Sequence, residues 1–193
     1  MARSTAVRPE ASDSGRTRTF WRFDLRAIVG GVFFGLVMAL LVGLGDRADT
    51  ALTGGAFPVF GGISWAAIMG ISTLLLGQPA GIIAGLIQGF VDIATGASPL
   101  APIFPVVNAA GSFAFSLVAV KLSMKGWGHH FIAQLVGNVV GNILVGVGLY
   151  YILELPVEVI IVSNVVVIAA GTIGGTILTR VVTDAVGKSG VLD

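Results

Sequence analysis

The chain contains no cysteine, which excludes disulfides, thiolate metal sites and cysteine nucleophiles. Charge is almost as scarce. Only 11% of the 193 residues are Asp, Glu, Lys or Arg and the formal net charge is +1, so neither a nucleic-acid surface nor an acidic tail is indicated. The two histidines, His129 and His130, stand in a basic stretch without nearby carboxylates, which argues against a metal centre or a general base. No GxxxxGK(S/T) phosphate loop occurs, so the chain is not expected to hydrolyse ATP itself. Nothing pairs a serine with a histidine at membrane depth as an intramembrane hydrolase would, and no ladder of ionisable residues marks a proton relay. Neither an enzyme nor a cofactor is expected.

What the chain has is apolar length. Hydrophobic residues make up 55% of it and its mean hydropathy is +0.95, far from the averages of soluble domains. The uncharged run AIVGGVFFGLVMALLVGLG, residues 27–45, is long enough to cross the hydrocarbon core of a bilayer. A secretory signal would have a shorter apolar core followed by a small-x-small cleavage site, whereas GDRADT follows here. Five further spans are expected at about 57–76, 80–95, 101–120, 131–153 and 157–179. Gly- or Pro-containing breaks separate them at GQP (77–79), GASPL (96–100), KLSMKGWGHH (121–130) and ELP (154–156). The expected fold is an all-α integral membrane protein of six transmembrane helices. Residues 1–25 read as a disordered basic cytoplasmic tail, 26–184 as the membrane domain, and 185–193 as a short cytoplasmic tail.

Basic residues give the orientation. With both termini in the cytoplasm, Arg3, Arg8, Arg16, Arg18, Arg22, Arg26, Lys121, Lys125, Arg180 and Lys188 fall inside and Arg47 alone falls outside. That asymmetry follows the positive-inside rule and places the chain in the cell membrane. Asp46, Asp49, Glu154 and Glu158 fall in or beside outer loops. Trp21 and Trp127 lie beside inner basic residues, as interface anchors do.

Against this background the polar residues within spans stand out. Counting at 1.5 Å per residue, Asp92 lies roughly 5 Å below the outer surface and Gln88 and Asn108 roughly 10 Å. Asn164 and Asn142 come out at roughly 11 and 16 Å. An ionisable group at such depth needs a partner or a wet cavity, and the convergence of these residues points to an outward-facing pocket. Trp65 is deeper than an interfacial aromatic needs to be, as either a stacking platform for a planar ligand or a core aromatic would be. Two stripes at four-residue spacing, Asn108-Ser112-Ser116 and Gln134-Asn138-Asn142, continue into the inner half, where helix packing is the expected role. Small-residue tracks form another pattern: Ala27, Gly31, Gly35, Ala39 and Gly43 on span 1, Gly81-Gly85-Gly89 on span 3, Gly137-Gly141 on span 5 and Gly171-Gly175 on span 6. Most such tracks serve internal packing; the span 1 track, the longest, could instead face another protein.

The stretches FPVFGGISWAAIMG (57–70), GQPAG (77–81) and FVDIATGASP (90–99) resemble the substrate-binding S-components of energy-coupling factor (ECF) transporters, most nearly the YkoE type associated with hydroxymethylpyrimidine and thiamine. The resemblance covers spans 2 to 4, and the remainder by span number and length. It implies a six-helix subunit that captures a vitamin or vitamin precursor from outside, with a transmembrane coupling subunit and two ATPase subunits as partners. Asp92 matches an acidic position before the Gly96 turn, where the family has glutamate. Substrate contacts are then expected from Asp92, Gln88, Trp65, Asn108, Asn142, Asn164 and Phe57, with no metal. Residues 46–58 would form a pocket-closing loop hinged at Gly54-Gly55 with Phe57 as its apolar lid. Ala27, Gly31, Gly35 and Ala39 match the family's docking face for the coupling subunit. Two rival readings stand beside it: a small channel or facilitator with the polar stripes lining a path, and a structural subunit in which polar residues only join helices.

Overall fold

The computed structural model describes residues 23–54 and 57–189. Within them the chain forms six α-helices: α1 (Leu25–Thr53), α2 (Val59–Leu76), α3 (Gln78–Thr95), α4 (Phe104–Lys121), α5 (Trp127–Tyr151) and α6 (Val157–Ser189), with a 3-10 turn, Ala101–Ile103, leading into α4. The boundaries follow local chemistry. Asp24 caps α1, its carboxylate accepting the Ala27 N–H at 2.8 Å. Gly54 and Gly96 end α1 and α3 in the left-handed conformation, at φ 65° and 63°, which glycine adopts without a Cβ penalty. Gly77, at φ 99°, is the single residue between α2 and α3, so the chain reverses there over one residue.

Contacts at the glycines fix the directions. A Cβ on Gly31 or Gly35 would meet Ile83 or Ile87, so α1 and α3 run parallel. Gly45 lies against Phe60 and Gly61, Gly89 against Pro105, Gly148 against Ile103, and Gly171 and Gly175 against Asn138 and Gln134. Those four pairs, α1/α2, α3/α4, α4/α5 and α5/α6, are therefore antiparallel. The packing closes a ring in the order α1, α3, α4, α5, α6, α2, and α2 touches each of the other five helices. Its small residues, Gly61, Ala66, Ala67, Gly70 and Ser72, are buried and allow that central place.

The distribution of polarity is the inverse of a soluble bundle. Ser72, Gln88, Asn108, Gln134, Asn138 and Thr179 are buried, whereas Phe33, Leu36, Leu40, Val106, Ile143 and Val165 are exposed. A bilayer tolerates that arrangement and water does not. Five helices among the described residues are long and apolar enough to cross a membrane: α1, α2, α4 with its 3-10 turn, α5 and α6. The expected third span is present as the helix α3. It falls outside that set because it carries Gln78, Gln88 and Asp92, all turned inward and buried.

Three boundary expectations are corrected. Residues 46–53, expected in a loop, form the last two turns of α1, since DRADTALT has no glycine or proline to end a helix before Gly54. α5 starts at Trp127, inside the expected connection, and α6 continues through Ser189, so the expected C-terminal tail begins as helix. Residues 1–22 and 190–193, with the rest of the tail assignments and Trp21, lie outside the described residues, as does Gly55 of the expected hinge.

The span 1 track receives a different role from the expected docking face. Ala27, Gly31 and Gly35 are buried and Ala39 is half-buried. The two glycines sit against α3, within 3.0 Å of the Ala80 and Ala84 carbonyl oxygens if a Cβ is added. The track is the seam between α1 and α3, because glycines let two backbones approach that closely. The exposed face of α1 is instead the apolar ridge of Val29, Phe33, Leu36 and Leu40.

Candidate ligand-binding site

At the end of the bundle opposite the start of α1 and the end of α6, the helices part around a cavity of about 820 Å³. That size suits a small-molecule site. All seven expected substrate contacts, Asp92, Gln88, Trp65, Asn108, Asn142, Asn164 and Phe57, line it. They come from α2, α3, α4, α5, α6 and the α1–α2 link. Antiparallel helices of equal rise bring residues counted from one surface to a common depth.

The polar side chains are ordered in two sets. On one side, Asn108 Nδ2 donates to Gln88 Oε1 and Gln88 Nε2 donates to Asp92 Oδ2, a chain running from α4 to the carboxylate. Gln88 and Asn108 are buried, and Asp92 is 9% exposed. Among the described residues Asp92 Oδ1 has no hydrogen-bond donor, so half of the carboxylate carries no protein hydrogen bond. Opposite, Asn164 Nδ2 donates to the Asn142 carbonyl at 3.2 Å and Asn142 Nδ2 to the Asn138 carbonyl at 2.9 Å. The Asn164 amide nitrogen thereby ties α6 to α5, and that of Asn142 is used within α5.

Trp65 forms part of the floor. Its six-membered ring edge fits the slot left by Gly111 and Gly141, where added Cβ atoms would lie 2.7 and 3.4 Å from its Cη2. Beneath it the polar stripes turn into packing. Gln134 Nε2 donates to the Ala66 carbonyl at 2.9 Å and to Thr179 Oγ1 at 3.0 Å, joining α5 to α2 and α6. Gln134, Phe115 and Met69 are fully buried there. The inner half of the α5 stripe thus joins helices, as expected, whereas on α4 the Ser116 hydroxyl donates to the Ser112 carbonyl of its own helix at 2.7 Å. Asn138, assigned to packing from sequence, also reaches the cavity wall.

The cavity is acidic. Asp46, Asp49, Asp92 and Glu158 line it, and no Lys, Arg or His does among the described residues. Sequence reasoning placed three of these acids near outer loops and assigned them no contact. The signal was the i, i+3 spacing of Asp46 and Asp49 in a stretch with no helix breaker. Asp49 joins two helices. Only 2% exposed, it accepts the Phe60 and Gly61 N–H groups at 3.0 Å each, capping α2 from α1. A carboxylate at a helix N-terminus satisfies orphan donors and meets the positive end of the dipole. Asp49→Ala is therefore expected to lower unfolding stability by about 1–3 kcal/mol, and Asp49→Asn by less. Thermal unfolding in detergent measures this; an Ala variant as stable as the parent would show that the cap does not hold α1 to α2.

The basic end is organised separately. Arg180 stacks over the Trp127 ring at 4.7 Å, donates to the Lys125 carbonyl at 2.9 Å and pairs with Asp184 at 3.4 Å. His129 meets Ser123 Oγ at 3.0 Å and the buried His130 meets the Met124 carbonyl at 2.9 Å, so both rings serve the α4–α5 turn. Comparison of the chain with family models, with curated proteins and with solved structures finds no match.

Proposed function

We propose that this chain is the substrate-binding S-component of an ECF-type importer in the cell membrane, with six spans and both termini cytoplasmic. It would capture thiamine or a hydroxymethylpyrimidine-like precursor from outside and hand it to a coupling subunit driven by two ATPases. The observation that carries the reading is a single-ended acidic cavity with an aromatic floor, at the end of the bundle away from Arg26, Lys121, Lys125 and Lys188. The positive-inside rule turns that cavity outward. A flat amino-bearing or cationic ring suits carboxylates beside an indole. The absence of a phosphate loop from the sequence leaves the energy to partners. The buried plug of Gln134, Phe115 and Met69 below the cavity weighs against a channel.

The cysteine-free chain offers a direct test. Ser98 lines the cavity, and Ser98→Cys is expected to react with a membrane-impermeant thiol reagent in intact cells and to be protected by thiamine in the absence of ATP. Labelling only after permeabilisation would overturn the orientation. Labelling unaffected by thiamine or hydroxymethylpyrimidine would overturn the ligand assignment.

A further inference from the structure

We infer that the occupant of this cavity is an amphipathic organic cation, its charged head held by Asp46 and Asp92 and its apolar body resting on the wall formed by α5 and α6. The inference deepens the binding reading above and depends on the cavity being a ligand site. It begins with the segregation of the lining. Three of the four carboxylates, Asp46, Asp49 and Asp92, come from α1 and α3. The facing side carries Val145, Leu149, Leu153, Leu155, Val159 and Val162 with the exposed Glu158 among them, and Asn138, Asn142, Ser163 and Asn164 of α5 and α6 also line the cavity.

The carboxylates differ in availability. Both oxygens of Asp49 are taken by the N-terminus of α2. Asp92 keeps one oxygen free of protein donors, and the Asp46 carboxylate accepts no side-chain or backbone hydrogen bond among the described residues. Asp46 and Asp92 line the same cavity, where like charges repel. A cation between them converts that repulsion into two attractions, in a cavity where hydrocarbon walls reduce screening. Nothing comparable is offered to an anion or a zwitterion, since no basic side chain lines the space among the described residues. A metal ion is disfavoured as well: no group of three or more His, Cys, Asp or Glu is placed to hold one among the described residues.

The apolar wall excludes a purely polar occupant. A polyol filling about 820 Å³ would leave hydroxyls facing valine and leucine without partners, at a cost for each. A bare ammonium ion would leave most of the cavity without contacts. The ligand that matches both sides has a cationic nitrogen at one end and rings or branched carbon at the other. A charged two-ring molecule fits this description better than a neutral single pyrimidine.

Three probes separate the contributions: benzyltrimethylammonium, tetramethylammonium as head alone, and benzyl alcohol as a neutral aromatic. Affinities for the purified chain in lipid nanodiscs, by calorimetry, are expected to favour benzyltrimethylammonium at least tenfold over either fragment. Asp46→Asn and Asp92→Asn should each weaken that probe about tenfold or more and leave benzyl alcohol unchanged. Leu149→Asn should weaken it while leaving tetramethylammonium unchanged. Size-exclusion profiles restrict each comparison to folded protein, and the two carboxylate variants back one another up. Absence of benzyltrimethylammonium binding, equal binding of benzyl alcohol, or indifference to both carboxylate variants would overturn the inference. The vitamin reading fails separately: binding of the quaternary probe without protection of Ser98→Cys by thiamine sinks that reading and keeps this one. Thiamine protection that survives both carboxylate substitutions does the reverse.

Discussion

Asp92→Asn is expected to weaken a cationic ligand roughly ten- to a hundredfold while changing the stability of the ligand-free protein little. A charge-assisted hydrogen bond is worth about 1.5–3 kcal/mol, which converts to that range of affinity. The geometry explains why stability should not follow. The Gln88–Asp92 hydrogen bond joins residues four apart on the same helix, so it ties no two helices together. The tie between α3 and α4 is the Asn108–Gln88 bond and the Asn108 donation to the Gly85 carbonyl at 3.4 Å. An asparagine at 92 can still accept from Gln88 through its own carbonyl oxygen, and it removes a carboxylate that is costly to bury. Asn108→Leu should show the converse, with stability falling because a buried amide network loses its bridge. Calorimetric affinity and thermal unfolding on the same preparations decide the matter. Unchanged affinity in Asp92→Asn would remove Asp92 from the site.

Gly35→Leu is expected to abolish folded protein, and binding with it. A Cβ at Gly35 would lie 2.6 Å from Ile87 Cβ and 2.9 Å from the Ala84 carbonyl oxygen. The second neighbour is backbone and cannot rotate away. Overpacking a close interface costs about 1–3 kcal/mol for modest insertions, and an isobutyl group forced between two helix backbones should exceed that. Gly31→Leu should behave alike, since its Cβ would meet Ile83 and the Ala80 carbonyl. The same track supplies its own control. Gly43 has nothing within 4 Å of an added Cβ, so Gly43→Leu should fold and bind normally. Fluorescence-detected size exclusion followed by ligand titration distinguishes the cases. A stable, ligand-binding Gly35→Leu that failed only in transport would return this face to a partner protein.

These two experiments address residues of very different legibility. The helices themselves could be read in the sequence because their determinants are local: apolar runs of fixed length, and stops at Gly54, Gly77 and Gly96 where backbone conformation turns left-handed or reverses. Depth was legible for the same reason. A constant rise per residue set Gln88, Asn108, Asn142 and Asn164 at comparable distances from one surface, and the packed helices gather them around one cavity. Where no stop exists charge misleads: the polar residues of 46–53 suggest a loop, and the segment is helix.

Periodicity shows which residues share a helix face, and it leaves open what that face meets. The small-residue track of α1 would look the same in sequence whether it met α3 or a separate subunit; only the ring of helices assigns it to α3. Likewise nothing local distinguishes Asp46 from Asp49, three residues apart on one helix. The N-terminus of α2, brought alongside by the chain reversal, occupies Asp49 and leaves Asp46 to the cavity. The sequence alone determined the helices, their order and the depth of their polar groups, because these depend on neighbours along the chain. Which groups are satisfied and which face an open space was decided by tertiary packing, because it depends on neighbours across it.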